Sequence, residues 1–255
     1  MNLLISLRSE LLKTRRTASF YLTLIGAAVG PVVFLLNVLL DEDELDGKSK
    51  DPLNALFKML SEMNGVALFP FFIILICTLL PQVEYRNNTW KQVFTSPQTK
   101  ANVFLAKFMN VHLLMLIFLI ATHFFMFLTI VAINFIKPDL DLFNYPFNES
   151  IVIVNAANAY LVMLAVCAIQ FWIGLRSRNF IAPIGIGFAL WLLGTIMAVQ
   201  MKSSLVHYFP YSFQAYVVSP KLKLQLTQIA WTSLGYALLF LIVGFFDFRR
   251  RTVSK

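Results

Sequence analysis

Residues 84–107 read EYRNNTWKQVFTSPQTKANVFLAK. This polar stretch lies between two long apolar runs. It carries four cations (Arg86, Lys91, Lys100, Lys107), one acid (Glu84) and an apolar trio, Trp90, Val93 and Phe94. A chain turning back across a membrane needs only a few residues. A longer, basic turn with aromatic residues points to a folded docking surface on the inner side.

Composition supports the membrane reading. The chain of 255 residues is 58% hydrophobic and 13% charged, with a mean hydropathy of +0.72. Soluble domains run at about 45–50% apolar and about 25% charged. Six stretches reach the roughly 20 apolar residues that a bilayer crossing requires: Ser19–Leu40, Gly65–Val83, Asn110–Ile136, Ile151–Leu175, Phe180–Gln200 and Leu226–Phe246. In lipid the backbone must satisfy its own hydrogen bonds, so runs of this length are expected as helices. The fold class is therefore all-α, a polytopic membrane protein. The third run exceeds the minimum and is expected to tilt or to begin outside the lipid.

The N-terminal residues do not read as a cleaved signal. Arg8, Glu10 and Lys13 interrupt them, and no small-residue cleavage pattern follows the first span. Leu4, Leu7, Leu11 and Leu12 fall on one helical face, which suggests a helix lying on the membrane surface before the chain enters it. With that helix inside, 14 of the 21 Lys and Arg residues lie on inner segments, and the first outer loop is acidic (Asp41, Glu42, Asp43, Glu44, Asp46, Asp51). The positive-inside bias thus places both termini in the cytoplasm. It also accounts for the net charge of +8 without nucleic-acid binding. The expected organisation is an amphipathic interfacial helix over 1–18, a six-helix transmembrane domain over 19–248 with its inner segment at 84–107, and a basic tail over 249–255.

Within the inner segment, Asn87 and Asn88 offer a cap and Thr89–Thr95 fits two helical turns. Pro97 disfavours helical geometry at Ser96, so that helix should stop there. Ser96 is then expected to cap a second helix with Pro97 in its first position. Trp90, Val93 and Phe94 recur at i, i+3, i+4, the spacing of a helix anchored in a partner's groove. The alternative is that the three dip into the lipid interface.

At these residues the chain resembles the ABC-2 type permease family, most nearly the lantibiotic and bacitracin immunity permeases. The resemblance rests on the basic N-terminal helix, the six spans, E-Y-R-N-N-T-W-K-Q-V-F-T-S-P and the Ala106–Lys107 pair. It implies that the segment between spans two and three is a coupling helix docking on a separate ABC ATPase. The contact positions would be Asn88, Thr89, Trp90, Lys91, Val93 and Phe94, with Glu84 at the inner end of span two. It further implies two ATPase copies and a second permease half, identical or homologous, in a bacterial cytoplasmic membrane. ATP would be used by that partner, with no cofactor bound by this chain.

Other features fit a permease without its own motor. The sequence lacks G-x-x-x-x-G-K-[ST], the phosphate-cradling loop, and lacks H-E-x-x-H and G-x-S-x-G. His112 and His123 are eleven residues apart, roughly 16 Å along a helix, too far to share a metal. Cys77 and Cys167 both fall in spans and carry no metal or disulfide-framework spacing. Leu53, Leu56, Phe57, Leu60 and Met63 repeat at helical spacing, as an interfacial helix before the second span would. Tyr208, Phe209, Tyr211, Phe213 and Tyr216 read either as an aromatic belt or as a region touching substrate. Asn155, Asn158, Gln170, His112 and His123 are candidates for a substrate path or for interhelical hydrogen bonds. Gly26 and Gly30, and Gly185, Gly187 and Gly194, allow close helix approach either within the bundle or to a second subunit.

The expected function is the membrane subunit of an ATP-driven exporter of an amphipathic substrate, such as a peptide antibiotic. The alternative is an accessory scaffold or sensor with no transport path of its own. An enzyme is not expected, since no nucleophile, dyad or metal set is visible.

Overall fold

The computed structural model describes residues 3–15, 17–40, 51–201, 204–219 and 222–251. The acidic stretch at 41–46 and the tail at 252–255 lie outside them. Helix α1 (Leu3–Thr14) precedes the first span, α2 (Ala18–Leu40). Next come α3 (Pro52–Met63) and α4 (Phe69–Arg86), joined through one π turn at Asn64–Leu68 into a single helix of 35 residues. The short α5 (Trp90–Thr95) leads into α6 (Lys100–Ile136). Helices α7 (Glu149–Val162) and α8 (Leu164–Arg176) meet at a 43° bend. Then follow α9 (Ile181–Ile196), the four-residue α10 (Ala215–Val218) and α11 (Leu226–Arg250). Among the described residues, five continuous helices are long and apolar enough to cross a membrane, and the bent pair, counted as one span, makes a sixth. The chain is thus an all-α polytopic membrane protein, as its apolar runs require.

α6 has 37 residues, or about 55 Å at 1.5 Å per residue against roughly 30 Å of hydrocarbon. It is the mast of the fold. α1 and α2 pack along it, while α8 sits between α4 and α11. The main core joins Phe69, Phe72 and Ile76 of α4, Phe104, Met115 and Phe118 of α6, Val166 and Phe171 of α8, and Phe248 of α11.

Several local expectations change. The apolar face of α3 is turned into the bundle. Leu53, Leu56, Phe57 and Leu60 are buried against Phe34 and Val38 of α2 and Met126, Ile130 and Ile133 of α6. The same spacing serves a bundle as well as an interface, and here α2 and α6 are near enough to cover it. The fourth span is broken at Met163 with neither proline nor glycine there. The break is held by Ser233 of α11, whose hydroxyl donates to Val162 O (3.0 Å) and accepts from Ala165 N–H (3.0 Å). A bend inside lipid survives only where such groups are satisfied.

The late aromatic segment is not a belt. Tyr211, Phe213 and Tyr216 are buried in the main core, while Tyr208 remains 69% exposed. Gly194 permits this. A Cβ there would lie 2.4 Å from Tyr211 O, so only glycine lets α9 approach that backbone. Gly30 packs on Asn64 and Leu68, and Gly187 on Gln170 and Ile74, so both face their own bundle. Gly185 has open space around it, and Gly26 is in ordinary contact with Phe118.

Candidate functional site

Where the end of α4, the start of α6 and α1 converge, four charged side chains form one cluster. Lys107 Nζ lies 2.5 Å from Glu84 Oε1 and 2.8 Å from Glu10 Oε2. Lys13 Nζ lies 2.7 Å from Glu10 Oε1 and 3.2 Å from Glu84 Oε1. Glu84 and Lys107 are buried. Two acids and two bases cancel, which is the condition for keeping charge out of water. One turn further along α1, Thr14 accepts from Asn110 Nδ2 (2.6 Å) and donates to Glu10 O (3.0 Å). The buried stripe of α1 is therefore Ser6, Glu10 and Thr14, spaced by four. Leu4 and Leu12 stay exposed at 74% and 61%, as a membrane-facing side would. The leucine face was legible in the sequence, and the polar stripe that bolts the helix to α6 was not.

Burial alone would raise the Glu10 pKa, but the ammonium groups of Lys107 and Lys13 hold it below the ordinary carboxylate value. For Lys13, burial works downward, and the Glu10 and Glu84 carboxylates outweigh it and raise its pKa.

The connecting segment rests on this cluster. Asn88 takes a left-handed backbone (φ 51°), which asparagine tolerates better than most residues and which turns the chain from α4 into α5. The Trp90 ring packs against Tyr85 (5.2 Å between centroids), Phe94 (5.6 Å) and Phe248 (6.0 Å), and Lys107 Nζ sits 5.4 Å from its centre. Val93 and Phe94 also pack on the main core. The apolar trio thus faces the protein's own bundle. Of the positions proposed to dock, Glu84 is buried, Thr89, Trp90, Val93 and Phe94 are half-buried, and Asn88 and Lys91 are exposed. The capping also differs. Ser96 donates to Val93 O (2.8 Å) at the end of α5, whereas Thr99 caps α6, accepting from Asn102 N–H (3.2 Å). Ser96 is extended (ψ 153°), as a residue before proline should be. The second helix starts after the proline, at Lys100.

The end of α11 closes the platform from the other side. Lys100 Nζ donates to Arg249 O (2.9 Å) and Arg251 O (2.6 Å). Arg251 pairs with Asp247 (2.9 Å) and also donates to Tyr85 Oη (3.1 Å) and Leu175 O (2.5 Å). A cationic side chain beside the carbonyls of a helix end is favourable. Between α1 and α5 a groove of about 300 Å³ remains, lined by Ser9, Glu10, Lys13, Asn87, Gln92 and Gln98 among others.

A model of the ABC-2 family of transporter proteins matches residues 6–194, from the buried stripe of α1 through the connecting segment to α9. The chain belongs to the ABC-2 transporter family. It is accordingly a multi-pass membrane component of an ABC-type transporter, and membership implies association with an ABC ATPase. No curated protein matches the chain.

The polar residues inside this ABC-2 bundle separate into different sites. His112 Nδ1 and Tyr160 Oη are 2.7 Å apart, joining α6 to α7. Gln170 donates to Tyr211 Oη (3.0 Å) and binds the late aromatic segment to α8. Asn158 is half-buried on α7. Asn155, on α7, shares a cavity with His123 of the preceding helix α6. Cys77 and Cys167 are buried with their sulfurs 4.0 Å apart. The sequence named most of these residues, but Glu10, Thr14, Asn110 and Asp247 were missed as partners. The one available signal was that Glu10 and Glu84 are rare acids at the basic end of an apolar chain.

Proposed function

We propose that this chain is the permease subunit of an ATP-driven exporter, with the 84–107 segment in the cytoplasm as the docking surface for the ATPase. The observation that carries the reading is the family match across that segment, in a chain without a phosphate-cradling loop. The pattern of exposure supports a division of roles within the segment. Asn88, Lys91 and the neighbouring Gln92 are the exposed residues that meet the motor. Trp90, Val93 and Phe94 form the inner face that passes its movement to α4, α6 and α11. The Glu10–Lys107–Glu84 cluster makes α1 part of the same moving body. The substrate is an amphipathic molecule, with a peptide antibiotic as the leading class by resemblance. The assembly holds two ATPase copies and two permease halves in a bacterial cytoplasmic membrane.

The test is reconstitution with an ABC ATPase that co-purifies with this chain from its native membrane. ATP-dependent movement of peptide into inverted vesicles is expected, and no ATPase activity from this chain alone. Lys91→Glu with Gln92→Ala should weaken co-purification of the ATPase several-fold without moving the thermal midpoint of the isolated subunit. Trp90→Ala should lower that midpoint even without the ATPase, because its ring packs on the chain's own core, at a cost of about 2 kcal/mol for a half-buried tryptophan. Assembly that proceeds without any transport would favour a scaffold instead.

A further inference from the structure

The helix formed by α3 and α4 carries one π turn, at Asn64–Leu68. Single π turns inside α-helices concentrate at functional positions. This one borders a cavity lined by Ser61, Asn64, Thr122, His123 and Asn155, with Phe69, Phe118 and Met126 closing its apolar side. It has about 20 Å³ of room for the centre of a water-sized group. Thr122 lies fifteen residues beyond Lys107 on α6, or about 22 Å at 1.5 Å per residue, so the cavity is remote from the ion cluster.

Its chemistry is uneven. Ser61 Oγ, Asn64 Oδ1, Thr122 Oγ1 and His123 Nε2 are all buried atoms without a protein partner among the described residues. They come from two helices, the continuous α3–α4 helix and α6, and converge on one small space. Asn64 and Thr122 are 5% and 1% exposed. Buried polar groups left unpaired are costly, and a cluster of four marks a place where something else supplies the hydrogen bonds.

The acceptor or donor character of each atom follows from its other bond. His123 Nδ1 lies 2.7 Å from Leu119 O, which can only accept, so Nδ1 carries the hydrogen. Neutral His123 therefore presents Nε2 as a bare acceptor. Asn64 Nδ2 donates to Leu60 O (2.9 Å), which leaves Oδ1 as an acceptor. Two fixed acceptors flanked by two hydroxyls call for a donor. The lining holds no carboxylate, so a cation would be buried without a counter-charge, which is expensive in a membrane. A neutral donor with its own acceptor capacity fits best.

We infer that this cavity is an intramembrane binding site for one uncharged hydroxyl group, which donates to His123 Nε2 or Asn64 Oδ1 and accepts from the hydroxyls of Ser61 and Thr122. Water supplies that group from the aqueous side, and the alcohol tip of an amphipathic molecule supplies it from the bilayer. The site stands apart from the motor assignment, and its test uses the subunit alone.

The experiment is nitrogen NMR of the full chain, labelled with 15N-histidine in lipid nanodiscs. The His123 signal is identified by its loss in His123→Gln, and the His112 signal reports that the fold is retained. The His123 Nε2 resonance is expected at a hydrogen-bonded position. Titration with 1-octanol should move it saturably, whereas n-octane at the same membrane concentration should not. That pattern identifies the bilayer alcohol as a source. A hydrogen-bonded Nε2 that responds to exchange into heavy water but not to octanol identifies water as the occupant. Thr122→Val should weaken the octanol response about tenfold, equivalent to ~1.4 kcal/mol, and Thr122→Ser should restore it. Three results would each overturn the inference. One is an Nε2 at the position of a free imine nitrogen, unresponsive to both water and octanol. Another is an equal response to octane. The third is a response unchanged in Thr122→Val with the His112 signal intact.

Discussion

Lys107 is the residue on which the polar end of the molecule turns. It is 3% exposed, and its ammonium bonds two carboxylates from two different helices while facing the Trp90 ring. Removing one member of such a set leaves uncompensated charge in a dry place, typically costing about 3–5 kcal/mol. Lys107→Met strands Glu84 beside the more exposed Lys13 and should lower the thermal midpoint of the detergent-solubilised subunit markedly. Lys13→Met should do far less, since Lys13 side-chain exposure is 36% and such pairs are well screened. The double variant Lys107→Met, Glu84→Gln should recover part of the loss, because removing both charges of a buried pair is much cheaper than removing one. Equal midpoints for wild type and Lys107→Met would mean that the cluster does not hold the fold. In the sequence, Glu84 and Lys107 stood out as charges at the ends of apolar runs. Glu10 did not, because an acid in a basic amphipathic helix reads as solvated until α6 is known to lie against it.

At the level of elements, α1 is held by polar bonds rather than by its leucines. Its docking on α4 and α6 therefore depends on pH in both directions. Glu10 has a pKa below its ordinary 4.5 in the folded protein, so its contribution is present above that value and is lost as pH falls through the folded pKa. Lys13 has a pKa above its ordinary 10.5, so its contribution is present below that value and is lost as pH rises through the folded pKa. Docking of α1 should hold across the wide interval between and loosen on either side. Spin labels at Ser9→Cys and Gln98→Cys, which flank the groove, in a Cys77→Ala, Cys167→Ala background, measure this directly. A narrow distance distribution at neutral pH should broaden once pH falls below 4.5 and through the lowered pKa of folded Glu10. A distribution unchanged down to complete protonation would show that apolar contacts alone keep α1 in place. Element boundaries were largely legible, since length and hydropathy dictate the spans. The break at Met163 was not, because its cause is Ser233, seventy residues away in the chain. Nor was the burial of α3, since i, i+3, i+4 spacing describes a face without saying what covers it.

For the whole molecule, the sequence makes a claim that the fold by itself leaves to experiment, which is the direction in which it sits. Arg86, Lys91, Lys100 and Lys107 cluster at one end of the bundle, together with Arg15, Arg176, Arg249, Arg250 and Arg251. The opposite end carries the short turns between α6 and α7, where Asn54 Nδ2 donates to Pro146 O (2.9 Å) and Asn148 N–H donates to Asn54 Oδ1 (3.0 Å). Cationic residues near span ends are retained in the cytoplasm, so the end bearing α1 and α5 should be internal. The same asymmetry makes the docking proposal physically coherent, since ATP is available on that side alone. Both native cysteines are buried, and replacing them with alanine leaves a background free of thiols. In that background, Thr95→Cys on α5 and Asn144→Cys in the opposite turn, both exposed in the fold, should react with an impermeant maleimide from opposite sides of intact cells or spheroplasts. Asn144→Cys should label without permeabilisation, and Thr95→Cys only after it. The reverse pattern would invert the molecule and place the segment at 84–107 out of reach of any ATP-driven partner, ending the motor-docking proposal while leaving the six-span fold untouched. Labelling of both from outside would break the span count itself, because two sites separated by one crossing of α6 cannot share a side.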